Sequence, residues 1–187
     1  MTPQQGQLAV RLVILAFVVV LVQTAALSQL TLFGAQLDVG PLVVVSVGLL
    51  AGPVYGAGMG FTLGFLVDVA LLQTLGITSL VYVIVGYYAG IFGSTARDPQ
   101  ATLLPLAMGA VGTLVALVLF SLLQFLLGVE SPVSLELLRQ IVLTVLINTL
   151  FALPVHALVR RALGSAVEDR RRRRRRARPG LSPLIQP

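Results

Sequence analysis

Charged positions divide the chain into long uncharged stretches. The apolar core of a bilayer is about 30 Å thick, and a helix rising about 1.5 Å per residue needs roughly 20 apolar residues to cross it. Each stretch is long enough to contain at least one such helix, so the pattern predicts an integral membrane protein. The uncharged stretches are 12–37, 39–67, 69–96, 99–129 and 140–159.

Helix-breaking residues divide these stretches further. Pro53 disfavours helical conformation in the residue before it, and residues 73–76 form a second break. Asp98 and Ser131 are each followed by proline, a pattern that begins helices. We therefore predict an all-α bundle of six transmembrane helices, at about 8–30, 39–52, 54–72, 76–93, 100–127 and 134–160.

The placement of arginine predicts the orientation of the bundle. Cytoplasmic loops of membrane proteins carry an excess of arginine and lysine. Six spans put both termini on one side, which places every arginine except Arg139 in the cytoplasm and Asp38 on the outer side. A five-helix alternative, with 39–66 as one helix and Asp68 in a loop, would leave Arg11 outside. We therefore expect a protein of the bacterial inner membrane with both termini in the cytoplasm.

A cleaved signal peptide is the alternative for the first helix. Residues 12–22 resemble an apolar h-region, and residues 26–28 resemble a cleavage site. The segment before them has a single arginine, however, and cleavage would break the agreement between charge and orientation. We therefore keep this segment as the first span.

Glycine recurs at every fourth position along the third predicted helix and in the residues just before it. Small residues at this spacing let helix backbones come close together, which stabilises helix contacts in lipid. The pattern predicts either packing inside the bundle or a surface for the helix of another protein. The glycines expected to form these contacts are Gly52, Gly56, Gly60, Gly64, Gly86 and Gly90.

Asp68 continues the glycine series and is the carboxylate that lies deepest within an apolar stretch. An ionised carboxylate at membrane depth is costly unless it is paired. We predict a buried polar contact between Asp68 and Arg139, because the six-helix map puts both near the outer side. The alternatives are bonds from Asp68 to hydroxyls, backbone or interfacial water, or a partner-facing or ion-linked role. Asn148 and Thr149 are expected to form hydrogen bonds between helices.

The composition argues against catalysis. Hydrophobic residues make up 57% of the chain, there is no cysteine, and His156 is the single histidine. Disulfides, thiolate metal sites and cysteine nucleophiles are therefore excluded, and a histidine-based zinc site lacks ligands. An aspartyl protease would need a second buried carboxylate. We therefore predict no enzymatic activity, no cofactor and no small-molecule substrate.

The formal charge of +6 belongs to the end of the chain. We divide the chain into a neutral transmembrane bundle, 1–164, and a disordered arginine-rich cytoplasmic tail, 165–187. Each arginine near an anionic leaflet contributes about 1 kcal/mol, so the tail is expected to bind lipid. Binding to an acidic cytoplasmic protein is one alternative, and non-specific nucleic-acid binding is another. The lipid-binding residues are Arg170, Arg171, Arg172, Arg173, Arg174, Arg175, Arg176 and Arg178.

Residues 38–90 resemble one protein family. They combine a proline near the start of the second helix, a glycine-spaced helix ending in Gly-Phe-x-x-Asp, and a later Gly-Tyr pair. This middle third of the chain resembles the rod shape-determining protein MreD family. The residues that carry the resemblance are Pro41, Gly64, Phe65, Asp68, Gly76, Gly86 and Tyr87.

The resemblance implies a fold and a function. The fold is a six-helix bundle similar to the substrate-binding subunits of energy-coupling-factor transporters. The function is a non-catalytic scaffold of the cell-elongation machinery, with MreC, MreB, RodA and its penicillin-binding protein as partners in lateral peptidoglycan synthesis. The alternative is a transporter subunit that binds a vitamin-like small molecule.

Overall fold

A computed structural model describes residues 3–27, 31–32, 35–36, 38–95, 103–128 and 135–176. Side chains are described over 6–25, 38–95, 103–128 and 138–164. The α-helices in these segments are α1 (Pro3–Val22), α2 (Val39–Ala51), α3 (Pro53–Ala70), α4 (Ile77–Thr95), α5 (Leu103–Leu126) and α6 (Leu135–Arg176). A π-helical turn, Gln23–Leu27, extends α1, and two short antiparallel strands follow it, β1 (Thr31–Leu32) and β2 (Ala35–Gln36).

Five helices in the described part of the chain are long and apolar enough to cross a membrane. The sixth, α2, has 13 residues and is therefore about 20 Å long, less than the thickness of the apolar core. The chain is thus a multi-pass helical membrane protein. The five long segments are Gly6–Ala25, Pro53–Ala70, Ile77–Thr95, Leu103–Leu126 and Leu138–Gly164.

The short helix α2 lies at the centre of the bundle. All of its residues from Gly40 to Leu49 are buried. The long helices surround it, each packing on the next in the order α1, α3, α4, α5 and α6, with α6 returning to α1. Because protein covers α2 from Gly40 to Leu49, this helix can begin inside the bundle without exposing backbone groups to lipid.

The predicted breaks on either side of α3 are confirmed. Gly52 has a φ of 97°, in the left-handed region that favours glycine, and Pro53 is the first residue of α3. At the other end, α3 stops at Ala70 and α4 begins at Ile77. The predicted boundaries for the other described helix starts differ by five residues or fewer. The predicted end of the first helix at residue 30 lies outside the described residues.

The last helix is longer than predicted. The sequence prediction ended it at residue 160 and placed a disordered tail from 165, whereas α6 continues through Arg176. Arginine has a high helix propensity, so a run of arginines can extend an existing helix where it could not form a packed core. Residues 177–187, including Arg178, lie outside the described residues, as do the side chains of Arg170 to Arg176.

Candidate functional site in the glycine-packed core

Helices α3 and α4 pack antiparallel through glycines. A methyl group placed at Gly64 would lie 2.5 Å from the Cα atom of Ser79, and one placed at Gly56 would strike the backbone of Gly86. Gly60 meets the backbone of α4 in the same way. Since side-chain carbons do not approach backbone atoms so closely, any larger residue at these positions would push the two helices apart.

Helix α2 runs parallel to α4 and joins the same contact. A methyl group at Gly48 would lie 2.6 Å from the carbonyl oxygen of Gly86 and 3.0 Å from the backbone nitrogen of Gly90. Gly86 therefore lies where α2, α3 and α4 meet. Gly90 packs against the backbone of Pro53, at the turn between α2 and α3.

The structure assigns the glycine series to packing inside the bundle. Gly56, Gly60, Gly64, Gly86 and Gly90 are all buried against a neighbouring helix of the same chain, so they do not form a surface for another protein. Gly52 joins this packing through its backbone, since a methyl group at Gly90 would lie 2.6 Å from the Gly52 carbonyl carbon, although nothing lies within 4 Å of the Cβ position of Gly52 itself. The positive φ of Gly52 also ends α2.

Asp68 stabilises the turn between α3 and α4. Its side chain is fully buried, and Oδ2 accepts a hydrogen bond of 2.8 Å from the backbone N–H of Gly76. The carbonyl oxygen of Asp68 accepts a second bond, 3.0 Å, from the N–H of Gln73. A carboxylate next to the first turn of α4 is also favoured by the partial positive charge at a helix N-terminus.

The predicted contact between Asp68 and Arg139 is wrong. Arg139 is exposed near the start of α6, whereas Asp68 is buried at the α3–α4 turn. Helix α3 packs mainly on α4, α2 and α1, while α6 packs mainly on α5 and α2, so the two residues lie on different sides of the bundle. Of the predicted alternatives for Asp68, a hydrogen bond to backbone is the one that the structure contains.

A second polar cluster surrounds the start of α2. Asp38 is the N-cap residue of this helix, and its Oδ1 accepts a 3.0 Å hydrogen bond from the N–H of Gly40. The same oxygen accepts a 2.9 Å bond from Nε2 of Gln23, and the hydroxyl of Tyr82 lies 3.2 Å from Oδ2. One carboxylate therefore connects the π-helical turn after α1, the start of α2 and the first half of α4.

Asn148 of α6 binds the backbone at the same point. Its Nδ2 donates a 2.8 Å hydrogen bond to the carbonyl of Asp38, and its Oδ1 accepts a 3.3 Å bond from the N–H of Asp38. Nδ2 also lies 3.3 Å from the hydroxyl of Thr113 in α5. The predicted interhelical role of Asn148 is confirmed, whereas Thr149 bonds only to the carbonyl of Val145 in its own helix.

The Asp38 cluster lies well inside the bundle. Thr113 and Asn148 are near the middle of their membrane-length helices and are fully buried. Asp38 was expected to face the outer side, and the structure instead sets it level with these residues, because α2 is short and begins partway along its neighbours. A signal in the sequence was available, since aspartate directly before a proline-containing helix start is a typical N-cap. Gln23, Tyr82 and Thr113 gave no such signal.

The remaining residues that carry the family resemblance lie either at a helix start or turn, or on an exposed helix face. Pro41 is buried in the first turn of α2, and Gly76 occupies the α3–α4 turn with a φ of 98°. Phe65 is exposed on α3 and stacks with Phe61, with ring centroids 6.3 Å apart. Tyr87 is exposed on α4 beside Tyr88, with ring centroids 5.8 Å apart.

Comparison with protein families assigns the chain. The family model for the rod shape-determining protein MreD matches residues 5–162. The chain belongs to the MreD family. The match extends the resemblance from the middle third to every helix, and membership indicates a role in determining rod shape. Comparison with curated proteins and with solved structures gave no significant match.

Proposed function

We propose that this MreD family member is a non-catalytic membrane scaffold of the bacterial cell-elongation machinery. In this role it helps to organise lateral peptidoglycan synthesis and so maintains rod shape. The observation that supports the proposal is the glycine-packed contact of α2, α3 and α4 in a chain that the family matches over 158 of its 187 residues. Asn148 ties α6 to the start of α2 and, through Thr113, to α5, as a rigid scaffold requires.

The proposed topology has six helices, both termini in the cytoplasm and a location in the inner membrane. Helices α2, α3 and α4 alternate in direction, which is what consecutive membrane passes require. In this arrangement α2 is a short central pass enclosed by five full-length ones. The arginines at both ends of the chain favour a cytoplasmic side for each terminus.

The proposed partners are an MreC-like protein, an MreB-like filament, RodA and its penicillin-binding protein. Five long helices present apolar outer faces, which suit lateral contacts with other membrane-spanning proteins. The arginine run at the end of α6 would lie against anionic lipid at the cytoplasmic surface.

Purification of the full chain in mild detergent tests this function. We expect the MreC-like protein of the same cell to co-purify in stoichiometric amount, and RodA to follow at lower yield. Recovery of a transporter ATPase together with a bound vitamin would contradict the scaffold and favour the transporter subunit. A matched control is the Gly60→Ile variant, in which the α3–α4 contact cannot form and from which the partner should be lost.

A further inference from the structure

Three buried side-chain oxygens near the α3–α4 turn have no hydrogen-bond partner among the described residues. They are Oδ1 of Asp68, Oγ1 of Thr78 and Oγ of Ser79. The three residues are 0%, 4% and 4% exposed, so bulk solvent does not reach these oxygens. Because buried polar groups in proteins are normally paired, three unpartnered oxygens in one region are an unusual feature.

The packing of α3 on α4 places these residues within about one helical turn of each other. Gly64 lies against the backbone of Thr78 and Ser79, and Asp68 is one turn further along α3 on the same face. The other oxygen of Asp68, Oδ2, accepts a hydrogen bond from the N–H of Gly76, the residue directly before α4. Because side chains of a helix tilt toward its N-terminus, those of Thr78 and Ser79 lean toward the level of Asp68.

The hydroxyls of Thr78 and Ser79 are unpartnered because of their position at the start of α4. A threonine or serine inside a helix can bond to the carbonyl four residues earlier. Thr62 and Thr149 do so, with oxygen–oxygen distances of 2.9 Å and 2.6 Å. Thr78 and Ser79 lie in the first turn of α4, where the residue four positions earlier belongs to the preceding turn and not to the helix. Their oxygens are therefore available for another contact.

No cationic side chain in the described part of the chain is buried beside Asp68. The single histidine, His156, lies on α6, which packs mainly on α5 and α2. An ionised carboxylate inside a bundle is unfavourable unless a positive charge neutralises it, so a cation at Oδ1 would stabilise the ionised form of Asp68. The arginines whose side chains are described are all exposed, namely Arg11, Arg139, Arg160 and Arg161.

We propose that Oδ1 of Asp68 and the hydroxyl oxygens of Thr78 and Ser79 bind a monovalent metal cation, Na⁺ or K⁺. Hard metal cations take oxygen ligands, and all three of these atoms are oxygens. The ion joins the last turn of α3 to the first turn of α4, next to the hydrogen bond between Asp68 and Gly76. This inference goes beyond the proposed scaffold function and does not depend on it.

A monovalent ion suits this site better than a divalent one. The site has one carboxylate, whose single negative charge one such ion neutralises, whereas Ca²⁺ usually takes several carboxylate and carbonyl ligands. No group of three or more histidine, cysteine or acidic side chains that could hold a metal occurs in the described part of the chain. The partial positive charge at the start of α4 opposes a cation, so we expect a dissociation constant in the millimolar range.

Thermal unfolding of the purified full chain in detergent tests the proposal. The melting temperature is compared in NaCl, KCl and N-methylglucamine chloride at equal ionic strength, because N-methylglucamine is too large for the site. We expect about 100 mM of the bound metal ion to raise the melting temperature by about 3 °C relative to N-methylglucamine, with saturation at a single site. Broadening of the sodium NMR signal by the protein measures Na⁺ binding directly, and its loss on addition of KCl would identify K⁺ as the tighter ligand.

Matched variants establish whether the effect depends on these oxygens. Asp68→Asn removes the negative charge and keeps an acceptor for the N–H of Gly76, and Ser79→Ala removes one hydroxyl from the site. Each should reduce the shift in melting temperature about threefold or more. Thr149→Ala is the control, because its hydroxyl bonds within its own helix, and it should keep the full shift.

The outcomes separate a metal ion from other ways of satisfying the same oxygens. Equal melting temperatures in the three salts would overturn the proposal and leave a buried water molecule or a proton on Asp68 as the explanation. A full shift in either variant would also overturn it, because the ion would then bind elsewhere. Ser79→Ala keeps the test decisive if Asp68→Asn does not fold. None of these measurements uses cell shape, so failure of this site leaves the scaffold function untouched.

Discussion

At the scale of single residues, Asp68 acts within its own chain. Its carboxylate accepts a hydrogen bond from the N–H of Gly76 and so fixes the turn that reverses the chain between α3 and α4. The turn also requires the positive φ of Gly76. A local backbone contact thus accounts for Oδ2 of this buried acid, whereas Oδ1 is buried without a hydrogen-bond partner among the described residues.

Removal of the Asp68 side chain should destabilise the protein. Asp68→Ala removes the hydrogen bond from the N–H of Gly76, and the loss of such a bond costs about 1 kcal/mol. Asp68→Asn keeps an acceptor oxygen and should cost less. Thermal unfolding in detergent measures both. Arg139→Gln is the control, and a loss of stability equal to that of Asp68→Ala would mean that the two residues are coupled after all.

Asn148 provides a second residue-level test. Asn148→Ala breaks the paired hydrogen bonds to the Asp38 backbone and opens a cavity between α2, α5 and α6, so we expect a loss of about 2 kcal/mol. Thr149→Ala is the matched control in the same helix, because its hydroxyl bonds only to its own helix, and it should change stability by less than about 0.5 kcal/mol. Equal losses in unfolding experiments would show that the Asp38–Asn148 contact contributes little.

At the scale of helices, the contacts of α3 differ sharply between its two faces. Gly60 lies against the backbone of α4, whereas Gly58, only two residues away, faces open space. Glycine therefore has a packing role on one face and none for stability on the other. A count of glycines does not show this difference between the two faces. Only Gly56, Gly60 and Gly64 lie on the face that meets α4.

This difference predicts opposite effects of the same substitution. Gly60→Ala forces α3 and α4 apart and should destabilise the protein by about 1–3 kcal/mol. Gly58→Ala should be neutral or slightly stabilising, since alanine has the higher helix propensity by about 1 kcal/mol. Melting temperatures of the two variants in one detergent provide the comparison. A larger loss for Gly58→Ala than for Gly60→Ala would contradict the assigned packing.

The helix breaks could be predicted from sequence, because proline and glycine act on the backbone locally. Pro53 and the turn at 73–76 were identified in this way. The central position of α2 could not, because hydropathy does not distinguish a helix surrounded by protein from one surrounded by lipid. The Asp38 cluster was missed for a related reason, since Asp38 and Asn148 are 110 residues apart in sequence. The Asp68–Arg139 pairing failed because a span map gives the side of the membrane and not the lateral neighbours.

At the scale of the whole molecule, five long helices enclose a short one. The inner helix, α2, contributes the glycine contact with α4 and the polar contact with α6. The outer helices present largely apolar exposed surfaces along their membrane-length segments. The arrangement suits the scaffold role that we propose.

The topology of this arrangement can be tested by labelling. The chain has no cysteine, so single cysteines can be introduced without a background. A cysteine at position 6 and one at position 164 should both react with a membrane-impermeant reagent only after the cytoplasmic side is opened. One at Leu72, 93% exposed in the α3–α4 turn, should react in intact spheroplasts. Labelling of positions 6 and 72 from the same side would contradict six passes.

The most direct test of the central claim is the shape of cells that depend on this protein. In a rod-shaped bacterium depleted of its own MreD, expression of the full chain should restore constant cell width, measured by microscopy. The Gly58→Ala variant should do so as well, since it retains the core, whereas Gly60→Ile should leave the cells round despite reaching the membrane. Round cells with the full chain present at normal level in the membrane, together with its partners from the same species, would contradict the account.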